Sequence, residues 1–228
     1  MKLTPFFLLA VAVAALVRAS VAAPSSPPRV ALVFDDGPVP GASKQFLELL
    51  AREQVRVTFS HEGRYVAAHP ELCRAALAAG HEIANHSYTH PHFKELDAAA
   101  IRREILDTQA AVKTATGREP RWLWTPFLEW DDRIAAAVQP TGLKHLPLSH
   151  LHLVSSDDWN MQTDAAGILR NATTGIRDRT VILCHEWREE TLAQLPAILA
   201  ELRRQGCEFL TFSQLADTLT PEQRAVLR

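Results

Sequence analysis

The chain has 228 residues, 47% of them hydrophobic and 22% charged, with a formal charge of −2 at neutral pH. That length suits one compact core, and the near-neutral balance gives no reason to expect nucleic acid as a partner or a long-range pull on acidic substrates. The three cysteines make an odd count and their positions assign no bridge, so each is expected to be a free thiol.

Residues 1–22 begin with Lys2, run through an apolar core from Phe6 to Val17 and end in small residues such as Ala19, Ser20 and Ala22. This is the pattern of a secretory signal peptide: the apolar core is about a dozen residues, whereas a bilayer helix needs about twenty. It implies a secreted or periplasmic protein with no stable membrane insertion after cleavage. A short Pro/Ser linker at 23–29 leads into a single domain at 30–220. Within it, apolar runs predict strands at 30–34, 55–59, 82–84, 122–124, 152–155, 180–184 and 208–211. Helical patterns fall between them at 43–53, 69–79, 98–116, 133–138, 165–177 and 191–205. Gly80, Gly117 and Gly206 stand just past helix ends, where a left-handed cap is wanted. Strand-helix alternation fits a parallel sheet, either a closed barrel or an open doubly wound sheet. The barrel is favoured because the polar candidates sit where strands end, the face on which barrels collect reactive groups.

The first strand stops at two adjacent carboxylates, Asp35 and Asp36, followed by Gly37-Pro38. An exposed Asp-Asp-Gly-Pro turn is one reading, since all these residues favour turns. The other is a charged site, in which neighbouring carboxylates at a strand mouth need a cation, a metal or a proton to offset them. His86 and His90 favour the second: they are four apart, so one helical turn would put both imidazoles on one face. With Asp36 they form a ligand set that suits zinc and leaves a coordination position open for water.

Phe-Asp-Asp-Gly-Pro at 34–38, His-Ser-x-x-His at 86–90 and Leu-Cys-His at 183–185 stand in the order and spacing of the polysaccharide deacetylases, the NodB homology proteins of carbohydrate esterase family 4. The resemblance runs from about residue 30 to 215. It implies a distorted, seven-stranded (β/α) barrel. It also implies one divalent metal held by Asp36, His86 and His90, most simply Zn2+ although Co2+, Ni2+ or Mn2+ would bind similarly. In the same comparison Asp35 is the catalytic base and His185 the catalytic acid. Pro126, Phe127, Asp158, Trp159 and Leu183 are the candidates for binding substrate.

Two motifs depart from the family pattern. Trp124 stands where an arginine normally buttresses the aspartate base, and a single indole N–H with no charge puts the tuning of Asp35 in question. Ser155 replaces the first Asp of the family's Asp-x-x-Asp-Trp, so that Asp157 or Asp158 is left to orient His185. His61-Glu62, after the second strand, is a weaker candidate for touching substrate, and Glu129, Asp131 and Asp132 fit the start of a helix. The resemblance implies a secreted, metal-dependent hydrolase that takes N-acetyl groups from a polysaccharide or oligosaccharide. The alternatives are a hydrolase of O-acetyl xylan or a small amide, and a catalytically weak carbohydrate-binding protein.

Overall fold

In the computed structural model, which describes residues 26–145 and 150–225, every strand pairs in parallel with its neighbours. The expected signal segment, part of the linker and the last residues of the chain lie outside the described residues. The strands are β1 (Arg29–Gly37), β2 (Thr58–His61), β3 (Glu82–Asn85), β4 (Trp122–Leu123), β5 (Lys144–His145), β6 (His152–Ser155), β7 (Thr180–His185) and β8 (Glu208–Phe209). The helices are α1 (Ala42–Glu53), α2 (Gly63–Ala68), α3 (Pro70–Ala78), α4 (Ala98–Thr116), α5 (Asp132–Val138), α6 (Ala165–Thr173), α7 (Glu189–Arg204), α8 (Phe212–Asp217) and α9 (Pro221–Ala225). Seven strands lie in the order β5-β4-β3-β2-β1-β7-β6, with β8 joined to the start of β1. They form a curled half-barrel, α/β in class and a single domain, with β5 and β6 at the two ends of the ladder.

The alternation of side chains along β1 explains why it is the central strand. Val30, Leu32 and Phe34 face out, into a cluster with Phe46 and Leu50 of α1 and Ile198 and Leu199 of α7. Ala31 and Val33 face in, with Trp122, Trp124, Val181, Leu183 and Phe212. Both faces are covered, so the strand reads as one apolar run. By the same alternation Asp35 faces the barrel interior.

The end of the barrel remote from Asp35 is closed by α8. Trp122 meets Phe212 edge to face at 4.8 Å and donates from Nε1 to Ser213 Oγ at 2.7 Å. Glu82 accepts from both the backbone N–H and the hydroxyl of Ser213. Thr211 and Gln214 form a reciprocal capping box at the start of this helix. That Thr-x-x-Gln signal is legible in the sequence, and it turns the expected strand 208–211 into a two-residue strand followed by a helix.

Other boundaries shift for identifiable reasons. β2 begins at Thr58 rather than 55, because pairing with β1 starts at Val33↔Thr58 while Val55 and Val57 pack in the core without a ladder. α2 has no side-chain cap, and β5 is two residues long, too short to carry a period. α6 stops at Thr173, short of the expected 177. Gly80, Gly117 and Gly206 have φ of 86°, 74° and 78°, the left-handed caps expected of them. All three cysteines are free, Cys73 and Cys184 in the core and Cys207 half-buried.

Candidate active site

Adjacent residues on a strand point to opposite sides, so Asp35 and Asp36 can share a site only where the ladder is interrupted. The interruption is a bulge inside β1. Asp35 pairs with Ser60, the next pair is Gly37↔His61, and Asp36 is the extra residue, at φ 68°. Glycine follows for a steric reason: a Cβ at residue 37 would lie 1.7 Å from Glu186 Oε2. The ladder also sets Asp35 opposite His185 at the end of β7, which puts both side chains on the same side of the sheet.

His86 and His90 meet without a helix. His86 follows β3 directly, and the turn after it carries Ser87 and His90 at φ 62° and 60°. This corrects the expectation of a helical turn. Three groups hold the turn in place. Asn85 Oδ1 accepts from Ser87 N at 2.9 Å, Ser87 Oγ accepts from His90 N at 3.0 Å, and the Glu104 carboxylate accepts from the N–H groups of Tyr88 and Thr89 at 2.8 and 2.7 Å. Phe127, Leu128 and Asp157, also near the cleft, have φ of 56°, 55° and 55°. Backbone held in this region is over-determined by its surroundings, and such positions gather at functional sites.

The ligand-type atoms of Asp36, His86 and His90 all lie within 4.8 Å of one another. Nδ1 of His86 is 2.6 Å from the Trp124 carbonyl oxygen, which can only accept. That nitrogen is therefore the donor, and Nε2 presents its lone pair inward. From Asp36 Oδ1 it is 3.2 Å to His86 Nε2 and 3.4 Å to His90 Nε2, and Oδ1 is buried without a hydrogen-bond partner. An orphaned carboxylate oxygen facing two imidazole nitrogens fits a divalent cation.

The charges point the same way. Burial opposes ionisation of Asp36, but the imidazole of His86 close beside it outweighs burial and holds the carboxyl below its ordinary value. Burial would likewise lower His86, yet the carboxylates of Asp35 and Asp36 push it up to about 9, so a cation bound here would take the place of the proton on Nε2. His90, losing water and facing His86, falls to about 4. The pair of carboxylates thus draws in positive charge.

Asp35 is 3% exposed, and burial raises it to about 6, against the lowering effect of His86, His185 and a hydrogen bond from Trp124. Trp124 Nε1 donates to Asp35 Oδ2 at 2.6 Å, so the indole occupies the buttressing role of the missing arginine with one donor. Across the cleft, His185 Nδ1 donates to Asp158 Oδ1 at 2.7 Å, and Asp158 Oδ2 accepts from His185 N and Thr191 Oγ1 at 2.8 and 2.6 Å. Burial works against a charged His185, but Asp158 and Asp35 raise it above its ordinary value. Asp157 turns away, held through its N–H by Ser155 Oγ and through its carboxylate by Asn171.

Asp35, Asp36, His86, His90 and His185 line one cleft of about 370 Å³, together with Trp124, Thr125, Phe127, Leu128, Trp159, Leu183 and Trp187. Of the candidates for binding substrate, Phe127, Trp159 and Leu183 are therefore at the cleft. Two are not. Asp158 is 0% exposed, with its oxygens taken by His185 and Thr191, and Pro126 is buried beneath the turn that presents Phe127. His61 is also buried, 3.3 Å from Glu186, while Glu62 pairs with Arg64 in a second groove beside Asp36. Asp131 caps α5 as expected of a helix start, and Glu129 accepts from His92 and Lys94 N. Sequence reasoning missed Trp187, Thr125 and Leu128. The first stands two residues beyond His185, a position at which any aromatic should draw notice.

Comparison with known proteins agrees with this geometry. Residues 22–146 match the family model described as polysaccharide deacetylase. The peptidoglycan-N-acetylglucosamine deacetylase PgdA of Listeria monocytogenes is 31% identical over 82% of this chain, which spans only 38% of that relative's length. A chitooligosaccharide deacetylase of a Bradyrhizobium species is 30% identical, with 82% of this chain and 90% of the relative covered. The family 4 carbohydrate esterase of Streptomyces lividans, solved with acetate, superposes with a TM-score of 0.73 at 34% identity, covering 80% of this chain and 91% of that one. With its bulged Asp-Asp pair and its two loop histidines gathered in one cleft, the chain belongs to the polysaccharide deacetylase family.

Proposed function

We propose that this protein is a secreted or periplasmic, metal-dependent deacetylase that removes N-acetyl groups from the sugars of a polysaccharide and releases acetate. The observation that carries the reading is the convergence of Asp36, His86 and His90 on one point, with Asp35 and His185 on either side of it. Asp36 Oδ1 and the Nε2 atoms of His86 and His90 would hold the ion, most simply Zn2+ given two imidazoles and one carboxylate. A divalent cation there would acidify a water and polarise the acetyl carbonyl.

The remaining chemistry falls to the chain's own groups. Asp35, raised to about 6, is mostly ionised at neutral pH yet basic enough to take the proton of the attacking water. As the carbon–nitrogen bond breaks, the amine leaves as a poor anion unless it receives a proton. His185 supplies it from Nε2, because Asp158 holds Nδ1 and favours the charged ring. Phe127 and Trp159 are 53% and 59% exposed at the rim, flat apolar faces suited to a sugar ring, and Leu183 offers an apolar wall to the acetyl methyl. The Listeria and Bradyrhizobium relatives, named for peptidoglycan and chitooligosaccharides, support a glycan substrate.

The weak-binder alternative was motivated by Trp124 and Ser155. Its force is reduced by the Trp124 donor on Asp35 and by Asp158 on His185, which supply both missing contacts. The test is acetate release from a defined N-acetylglucosamine oligomer, measured together with metal content. Activity should vanish on chelation and return with Zn2+. Release that survives full removal of metal would overturn the metal assignment, and turnover confined to O-acetyl xylan would redirect the substrate.

A further inference from the structure

Trp187 is the indole on which the Asp36 carboxylate rests, a contact outside every motif of the chain. Its Nε1 donates to Asp36 Oδ2 at 2.8 Å. The other oxygen of that carboxylate, Oδ1, is the buried atom without a partner, and it is the one that faces His86 and His90. The two oxygens are thus sorted before any ion arrives: one is tied to an indole, the other left free.

The residues on both sides of the indole are buried and tied to the body of the protein. Glu186 is 1% exposed, gives its N–H to Asp35 O at 2.9 Å, and holds its carboxylate 3.3 Å from His61 Nε2. Arg188 is 4% exposed, donates to Thr163 O at 3.3 Å and pairs with Glu190 at 3.0 Å. Between these fixed points Trp187 has its ring centroid 5.6 Å from that of His185 and lines both the main cleft and the second groove beside Asp36.

We propose that Trp187 is a positioning residue that restricts Asp36 to one-oxygen coordination through Oδ1, keeping a position open on the ion. The inference rests on the metal reading of the site, so its test reads the ion directly. Outer contacts of this kind are typically worth 10- to 100-fold in metal affinity. Phenylalanine at 187 keeps the apolar ring and removes the donor.

Metal-free wild type and Trp187→Phe are titrated with Co2+ and with Zn2+ against a competing chelator, and the visible absorption of the Co2+ form is recorded. The expected result is about tenfold weaker binding in the variant, with a weaker visible band as Asp36 swings to two-oxygen coordination and the coordination number rises. Trp187→His, which restores a ring N–H, should recover part of the affinity. Equal affinity and an unchanged spectrum in Trp187→Phe would overturn the positioning role and leave Trp187 a groove wall. If the wild type itself binds neither ion, the metal reading of the site falls, a different outcome from the first.

Discussion

Asp35 and Asp158 are both buried aspartates, one on each flank of the cleft, and they have been driven in opposite directions. Asp35 receives a single donor, the Trp124 indole, and its Oδ1 has no partner; burial wins and the carboxyl rises to about 6. Asp158 receives His185 N, His185 Nδ1 and Thr191 Oγ1, and these outweigh burial and lower it. The number of donors aimed at an aspartate, rather than the depth at which it lies, decides whether it can trade a proton near neutrality or stays a fixed charge. One flank is built to change state and the other to keep a neighbour in its state.

The largest break in this contrast is Asp35→Asn, which removes the group we propose as the base. Acetate release should fall roughly 10²- to 10⁴-fold, with metal content and circular dichroism unchanged. Asp158→Asn comes next. His185 loses the carboxylate that raises it, so kcat/KM should drop about 10- to 100-fold and the alkaline limb of its pH profile should move to lower pH.

Asp158→Asn also carries a stability signature. A carboxylate whose folded pKa lies below its ordinary 3.8 contributes stability above that value and loses it as pH falls through the folded pKa. Wild type should therefore lose melting temperature below pH 3.8 more steeply than Asp158→Asn.

A finer test changes only the donor on Asp35. Trp124→Phe removes the contact that lowers it, so the acid limb of the rate profile should shift upward, with roughly tenfold loss at pH 6 and little at pH 8. Trp124→Arg should shift the same limb downward, because a cation favours the ionised carboxyl. The order of the three shifts is the observation that counts. The smallest effect belongs to Thr191→Val, which leaves Asp158 two of its three donors and should cost about 1 kcal/mol, seen as a small drop in melting temperature with the rate nearly preserved.

Much of the site could be read before folding was considered. The central strand announced itself as an apolar run ending in two carboxylates, His86 and His185 each lay just beyond a predicted strand, and His90 stood out by its spacing of four from His86. The helix ends at Gly80, Gly117 and Gly206 were equally plain, because a left-handed cap is a local demand that glycine answers locally. The short elements were not legible in the same way: α2 has no side-chain cap and β5 is two residues long, so each exists through the contacts of its neighbours.

By itself the sequence determined which residue types arrive at the rim of the barrel, since the hydrophobic period places strands and their ends fall where the period stops. Only the tertiary structure decided how those residues share the work. The bulge that turns Asp36 beside Asp35, the choice of Asp158 over Asp157 as partner of His185, and the seating of Trp124 and Trp187 on two different carboxylates all depend on the register between strands far apart in the chain. Register is set by packing on both faces of the sheet at once, and no window of neighbouring residues contains that information.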